Sequence, residues 1–341
     1  MFRPSFKPKS GSGSAAFGPV SEVEIGTFLS FQESGKWTAE DARNHLDGND
    51  APYAFDQVYA DLILIGGGGP GTVNRDYSSG IFGGFPGSVV RRRILLSEIF
   101  TEADSELMIL IGIGGRKYDA EGGTTIVETY DAAFKPIFRL TAFGGSAGAN
   151  VQVLSDPNIG LAMQSFLHET AAILGYRGHD LSSFVRTFGY RNIYIPGPVG
   201  FNNVDGPGIG GSVLPTHQSS GGDYPYRSPG GDSNCFSPSV RHGGVPEVEA
   251  MPIPALQKDG EDADPTVFDS FGAGGGVGEY DPSNPNYSGV GGQGGRGGGG
   301  GGACFFNGTD TEFQAVAGQL EPGHGGNGEF RIRLFVLRSA S

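Results

Sequence analysis

The sequence predicts a mainly β protein in which short apolar strands alternate with irregular, glycine-dominated segments. Three observations lead there. First, an apolar run empties into unbroken glycine at Ala60 to Gly71, ADLILIGGGGPG. Second, the same succession returns in ELMILIGIGG (Glu106 to Gly115) and RLTAFGGSAG (Arg139 to Gly148), and it is reversed in HGGNGEFRIRLFVL near the C-terminus. Third, the chain of 341 residues holds 62 Gly and 22 Pro but also 24 Phe and 12 Tyr. Gly and Pro together reach about a quarter, twice the usual share of roughly 12%. No G-X-Y period runs through them, which excludes collagen. That many aromatic rings are out of place in a solvated tail. The expectation is order obtained by packing backbone against backbone, with a thin side-chain core.

Taken in order, residues 1–18 form an arm, MFRPSFKPKSGSGSAAFG, with nothing to fold by itself. Its spaced rings and cations, Phe2, Arg3, Phe6, Lys7 and Lys9, are read as an anchor that orders on a larger assembly. Residues 19–59 are read as a small lead-in module. VEIGTFLSFQ has strand composition, Trp37 serves as a local core anchor, and Thr38 with Asp41 resembles a capping box opening a short helix through His45. Residues 60–341 form the glycine-rich β domain. DLILI, SVVRRRILLSEIF, ELMILIGIG, TTIVETY and FRLTAF are its first five strand candidates, and EFRIRLFVL closes the chain as another. At about 156–190 the stripe Leu161, Phe166, Leu167, Ala171 and Leu174 predicts a small helical insert.

From residue 192 the chain is rich in Gly, Pro and Ser, and it culminates in GAGGGVGEYDPSNPNYSGVGGQGGRGGGGGGACFF (residues 272–306). A flexible linker would pair Gly with Ser and avoid aromatics. Here aromatics bracket the glycine blocks, so these segments are expected to form polyglycine II-like extended helices with three residues per turn.

Charge and motifs narrow function. A net charge of −14 argues against nucleic-acid binding. No stretch approaches the ~18 apolar residues of a membrane helix, so no membrane insertion is expected. The opening residues lack a signal peptide's apolar segment, and assembly in a cytoplasm is expected. The only concentrated cations outside the arm are Arg91, Arg92 and Arg93. Cys235 and Cys304 suit neither a disulfide scaffold nor a zinc site, and whether they pair is open.

Gly66 to Gly71 fits G-x-G-x-x-G and resembles the start of a dinucleotide-binding Rossmann domain. TVNRDYSSGIFGGFPG follows, however, and cannot supply the helix that faces a pyrophosphate. Gly144 to Gly148 fits G-x-S-x-G and resembles the nucleophile elbow of hormone-sensitive-lipase-like esterases, with Ser146 as nucleophile. The HGG of that family stands upstream of its serine, whereas here His242 to Gly244 lies downstream. The six histidines lack ligand spacing, and no cofactor, metal or enzymatic activity is expected.

The succession strand–GGGG, strand–GIGG, GGTTIVETY, FRLTAFGG, long glycine blocks and GGNGEFRIRLFV resembles the glycine-rich domain of tailed-bacteriophage virion proteins. The likeness covers residues 60–338. The helical stripe and the interruptions at 223–264 depart from the pattern. The resemblance implies a structural component of a phage particle, of the tail-fibre, tail-tip or head-fibre kind. It implies an elongated trimeric appendage located in the virion and joined to other virion proteins through the arm. A host-surface receptor would then meet Tyr224, Tyr226, Tyr280, Tyr287 and Arg296, since flat rings give contact area at small entropic cost. A secreted or surface glycine-rich structural protein and a serine hydrolase using Ser146 stand as alternatives.

Overall fold

A computed structural model of the chain describes residues 20–73, 79–81, 83–117, 121–131, 133–148, 150–152, 206–208, 258–280, 288–305 and 318–339. It also describes 210–211, 213–214, 226–227, 230, 233, 241–244 and 315. The arm at 1–18 and the stripe at 156–190 lie outside the described residues.

Among the described residues fifteen strands and two α-helices follow in chain order. They are β1 (Val20–Glu24), β2 (Leu29–Phe31), β3 (Gly35–Thr38), α1 (Ala39–Asp47), β4 (Tyr59–Ile65), β5 (Ser79–Ile81), β6 (Val89–Leu95) and α2 (Leu96–Ile99). Next come β7 (Glu106–Leu110), β8 (Thr125–Tyr130), β9 (Pro136–Ala142), β10 (Asn150–Gln152), β11 (Val213–Leu214), β12 (Tyr226–Arg227), β13 (Gly278–Tyr280), β14 (Ala303–Phe305) and β15 (Glu329–Ser339). The described chain is mainly β.

Two sheets face each other across one core. The first runs β1-β15-β4-β6, with β2 also paired to β15, and the second runs β3-β7-β8-β9. Strict alternation on β15 explains the arrangement: Phe330, Ile332, Leu334 and Val336 point inward, and Arg331 and Arg333 point outward. The inward set meets Leu62 and Leu64 of β4 and Ile94 of β6, and across the gap Leu107, Ile109 and Val127. Residues 19–59, expected as a lead-in module, supply strands to both sheets: β1 and β2 pair with β15, and β3 pairs with β7. Trp37 is buried in the shared core, edge-on to Phe100. The helix α1 starts as its sequence suggested. Thr38 Oγ1 accepts from the Asp41 N–H at 3.0 Å, and Asp41 Oδ2 accepts from the Thr38 N–H at 2.9 Å. Its Ala42 and Leu46 close one end of the core. The SVVRRRILLSEIF stretch is a strand up to Leu95 and then one helical turn, α2, where the Glu98 carboxylate accepts from the Leu95 N–H.

Glycine segments continue six of these strands at one end of the pair of sheets. Residues 66–71, 111–115 and 143–148 lead away from β4, β7 and β9, while 83–88, 121–124 and 321–328 lead into β6, β8 and β15. Their hydrogen bonds run sideways with a period of three. Gly66 and Gly69 donate to the carbonyls of Ser88 and Phe85, Gly68 and Gly71 to Gly326 and Gly323, and Gly67 to Gly123. In return, the carbonyls of Gly67 and Pro70 accept from Gly145 and Gly148, that of Gly68 from Gly115, and that of Gly69 from Gly300. The segment 66–71 is thus bonded to six others.

Residues 297–303 repeat the pattern. Gly299 and Gly302 donate to 208 and 211, Gly300 and Ala303 to 69 and 72, and Gly301 to 292. Carbonyls 297 and 300 accept from 87 and 84, 298 and 301 from 326 and 323, and 299 and 302 from 275 and 278. Again six segments surround one. Packing this close excludes a Cβ: at Gly67 it would lie 2.5 Å from the Ile113 carbonyl oxygen, and at Gly68 it would overlap the Gly298 carbonyl oxygen.

Candidate functional site

The glycine layer decides the two motif readings first. A phosphate cradle needs free backbone N–H groups at a helix N-terminus. In residues 66–71 the N–H groups of Gly66, Gly67, Gly68, Gly69 and Gly71 all donate to other backbone carbonyls at 2.8 to 3.0 Å. Pro70 has none to offer. Among the described residues no helix follows: residue 73 makes a bridge to Ala303, and the next described element is β5. The G-x-S-x-G segment is likewise extended. Gly145 donates to Gly67, Gly148 donates to Pro70, and Ser146 bridges to Glu121 before β10 begins. A nucleophile elbow requires a sharp turn from strand into helix, and the backbone at Ser146 is instead one straight member of the layer.

Of the residues expected at a receptor surface, Tyr224 and Tyr287 lie outside the described residues, as do Phe2, Arg3, Phe6, Lys7 and Lys9 of the arm. Tyr226 belongs to β12, which pairs with β11. Tyr280 ends β13 and packs against the buried pair Ala303 and Leu320. The segment 272–278 leading to it starts beside the first sheet, where Phe271 packs on Ile63 and Ile65, so Tyr280 lies at the end of the layer remote from the sheets. Arg296 is at the opposite end. Its guanidinium meets Asp262 at 3.1 Å and Glu329, the first residue of β15, at 3.8 Å. Burial pushes the Asp262 carboxyl up, but the hydrogen bonds and charge of Arg296 outweigh this and hold it below the usual carboxylate range. Arg296 and Tyr280, grouped by composition, therefore do not share a surface; Arg296 fastens the glycine layer to the sheet.

Two features escaped the sequence. One is a charged ladder on the outer face of the first sheet. Arg93 donates to both oxygens of Asp61, at 2.7 and 2.9 Å, and to Glu22. Arg333 donates to Asp61 at 2.8 Å and to Glu24 at 3.0 Å. Burial raises the Asp61 carboxyl, and the bonds from Arg93 and Arg333 more than reverse it, leaving it lowered. Beside the ladder a cleft of about 300 Å³ opens between Arg91, Arg93, Arg333 and Phe268, with Ile63 as floor. Arginines and carboxylates thirty to three hundred residues apart in sequence left no local signature. Beneath the segment 267–270 Arg331 is buried, with Nη2 on Glu329 at 2.6 Å and Nη1 on three carbonyls of that segment.

The other is the outer face of the second sheet, where Met108 and Leu110 on β7, Ile113 just beyond it and Phe143 after β9 are exposed. The signal was present in ELMIL, whose run of apolar residues fills both parities of a strand and implies partners on both faces.

Cys304 is buried on β14 against Val277, and Cys235 lies outside the described residues. Among the described residues no group of three His, Cys, Asp or Glu side chains could hold a metal ion, and no helix is long and apolar enough to cross a membrane. No protein-family model matches the chain, and no curated protein matches it.

Proposed function

We propose that the protein is a non-enzymatic structural component of a bacteriophage particle, of the tail-fibre, tail-tip or head-fibre kind, present as an elongated homotrimer. The observation that carries the reading is the saturation of the glycine backbone. Three-residue periodicity with six neighbours around 66–71 and around 297–303 is the packing expected of polyglycine II-like helices. A backbone whose donors and acceptors are satisfied laterally has none left for substrate or cofactor. It serves as rigid building material between the sheets and whatever lies beyond Tyr280.

The placement of the chain ends supports the same reading. Val20, the first residue of β1, opposes Ser339 of β15, at the end of the first sheet remote from the glycine layer. The arm, with Phe2, Arg3, Phe6, Lys7 and Lys9, therefore joins the described chain at one pole, while the segments ending at Tyr280 lead to the other. An anchor at the first pole and a contact region at the second, with Tyr224, Tyr226, Tyr280 and Tyr287 as its rings, suits a particle appendage that touches a host surface. Arg296 drops out of that contact set.

The test is antibody labelling of purified tailed-phage particles with serum raised against the intact chain, alongside mass spectrometry of the same particles. Labelling of an appendage is expected, and absence of the chain from particles would overturn the reading. For the host-contact role, purified full-length protein should bind host cells and block infection, whereas binding to cells with no effect on infection would remove it.

A further inference from the structure

The outer face of the first sheet carries a feature that the proposed function leaves unused: the cleft of about 300 Å³ beside the arginine–carboxylate ladder. That volume stands at the small end of ligand sites, enough for one ring-sized group. Strand alternation builds the cleft. Asp61 and Ile63 of β4, Arg91 and Arg93 of β6 and Arg333 of β15 share one face of the sheet. The register sets Arg93, Asp61 and Arg333 in one row and Arg91 beside Ile63 in the next. The segment 267–270, which buries Arg331, contributes Phe268 and Asp269 as the opposite wall.

The arginines differ in how they are held. Asp61 accepts two bonds from Arg93, at 2.7 and 2.9 Å, and one from Arg333 at 2.8 Å. Glu22 and Glu24 accept from the remaining nitrogens of the same two guanidiniums. Arg93 also lies over the Phe335 ring at 4.4 Å, and Arg333 over the Phe268 ring at 4.8 Å. This wall is fixed before any ligand arrives, so binding does not have to order it. Arg91 is different. Its guanidinium makes no hydrogen bond among the described residues. Its ion pair with Asp269 is 3.4 Å long, with the two side chains 41% and 54% exposed. A pair of that kind contributes roughly 0–1 kcal/mol. A carboxylate from outside can therefore replace Asp269 at small cost and gain the two-point contact that a guanidinium fork offers.

We propose that this cleft binds a carboxylate-bearing sugar ring, of the uronic acid kind found in acidic glycans, with its carboxylate on Arg91. Charge selects a carboxylate over a phosphate. With Arg92 beside the cleft and Glu22 and Glu24 behind it, four arginines stand against four carboxylates, and the patch is neutral in a chain of −14. It can exchange the single negative charge of Asp269 for that of a ligand, whereas a dianion would be repelled by Asp61 and Asp269 together. Asp269, once released from Arg91, accepts a hydroxyl proton, and Ile63 and Phe268 meet the C–H surface of the ring. A carboxylate, hydroxyls and an apolar ring face combined in one group are the chemistry of a sugar acid.

The cleft lies on the flank of the first sheet and not among the tyrosines, and the inference does not rest on the virion reading. Absence of the chain from particles leaves it standing. The test is a saturation-transfer NMR titration of purified full-length protein with methyl α-galacturonoside, its methyl ester and galactose 6-phosphate. Saturation transfer to the galacturonoside is expected, with affinity for the uncharged ester lower by about tenfold or more. Arg91→Ala should weaken galacturonoside binding by about tenfold, and Arg91→Lys, which keeps the charge without the fork, by less. Arg139→Ala removes a likewise exposed arginine from the second sheet and should leave the affinity unchanged. Circular dichroism melting checks that the variants keep their fold. Absence of galacturonoside binding, equal affinity for acid and ester, or wild-type affinity in a folded Arg91→Ala protein each overturns the proposal. Tighter binding of galactose 6-phosphate than of the galacturonoside overturns the choice of a carboxylate.

Discussion

Adding one methyl group inside the glycine layer should cost far more than glycine-to-alanine changes usually do. At Gly68 the new Cβ would overlap the Gly298 carbonyl oxygen and lie 3.0 Å from that of Gly297. Relief requires the segments 66–71 and 297–303 to part by more than an ångström. The bonds that hold them and their neighbours there are short: Gly68 N–H to Gly326 at 2.8 Å, Gly115 N–H to Gly68 at 2.8 Å, Gly69 N–H to Phe85 at 2.8 Å and Gly300 N–H to Gly69 at 3.0 Å. Four buried bonds at about 1 kcal/mol each give about 4 kcal/mol. Alanine recovers about 0.5–1 kcal/mol by restricting the unfolded chain. The net loss for Gly68→Ala is about 3 kcal/mol, at the upper end of single substitutions.

The control is Gly35→Ala on β3, where nothing lies within 4 Å of an added Cβ. It should change stability by less than about 0.5 kcal/mol. Thermal unfolding followed by circular dichroism compares them directly. At roughly 2–4 °C per kcal/mol for a large domain, Gly68→Ala should melt about 6–12 °C below wild type, with Gly35→Ala within about 2 °C. Equal melting temperatures for the two variants would show that the lateral contacts are not tight, and the account of the layer would fail with them.

Three further outcomes follow from particular contacts. Amide hydrogen exchange should be slow at Gly299, Gly300, Gly301 and Gly302, all of which donate to backbone within the layer; exchange at the rate of an unstructured peptide would contradict the hydrogen-bond pattern. Asp61 and Asp262 have lowered carboxyl pKa values, so their contribution to stability is complete above the unfolded value of about 3.9 and is lost as pH falls through the lower folded value. Denaturant midpoints should therefore be flat from pH 7 to 5 and drop below about pH 4, and Asp61→Asn should lower the neutral-pH plateau by about 1–3 kcal/mol by leaving Arg93 and Arg333 short of a partner. Thr38→Ala removes the cap of α1 and should cost about 1 kcal/mol in the same assay.

What could be read in advance was local. DLILI, TTIVETY and EFRIRLFVL became β4, β8 and β15 because each pairs apolar composition with a glycine boundary, and Thr38 with Asp41 formed the capping box its spacing announces. Pairing was not legible. β1 and β2 join β15 some three hundred residues away, which no window of sequence registers, and this is why residues 19–59 looked like a separate module. The same limit grouped Arg296 with the tyrosines. Composition placed it among aromatic glycine loops, but the turn at 296–297 returns the chain to the sheet, where Asp262 and Glu329 wait. On β7 the pattern was visible but its consequence was not: an apolar run on both parities signals two covered faces, and only one is covered among the described residues.

Pro70 shows why glycine abundance alone is the wrong description of the layer. It sits inside a glycine rod, buried, in a segment whose other residues all donate hydrogen bonds. Proline is tolerated there on two grounds. Its fixed φ matches an extended three-residue helix, and its carbonyl still accepts, from Gly148. Its missing N–H falls on the side of the rod where Gly67, one turn earlier, donates to Gly123, so the period leaves a single vacancy and not a broken row. The requirement at each position is therefore a product of two conditions: a φ suited to that helix, and no Cβ on a side where a carbonyl presses. Gly satisfies both everywhere, Pro and the buried Ala303 satisfy them only where the neighbour leaves room, and Ala fails wherever a carbonyl presses on the Cβ position, as at Gly68. That rule makes the tolerance of each position computable from its neighbours, and it is why a substitution at Gly68 and one at Gly35 are expected to differ so widely.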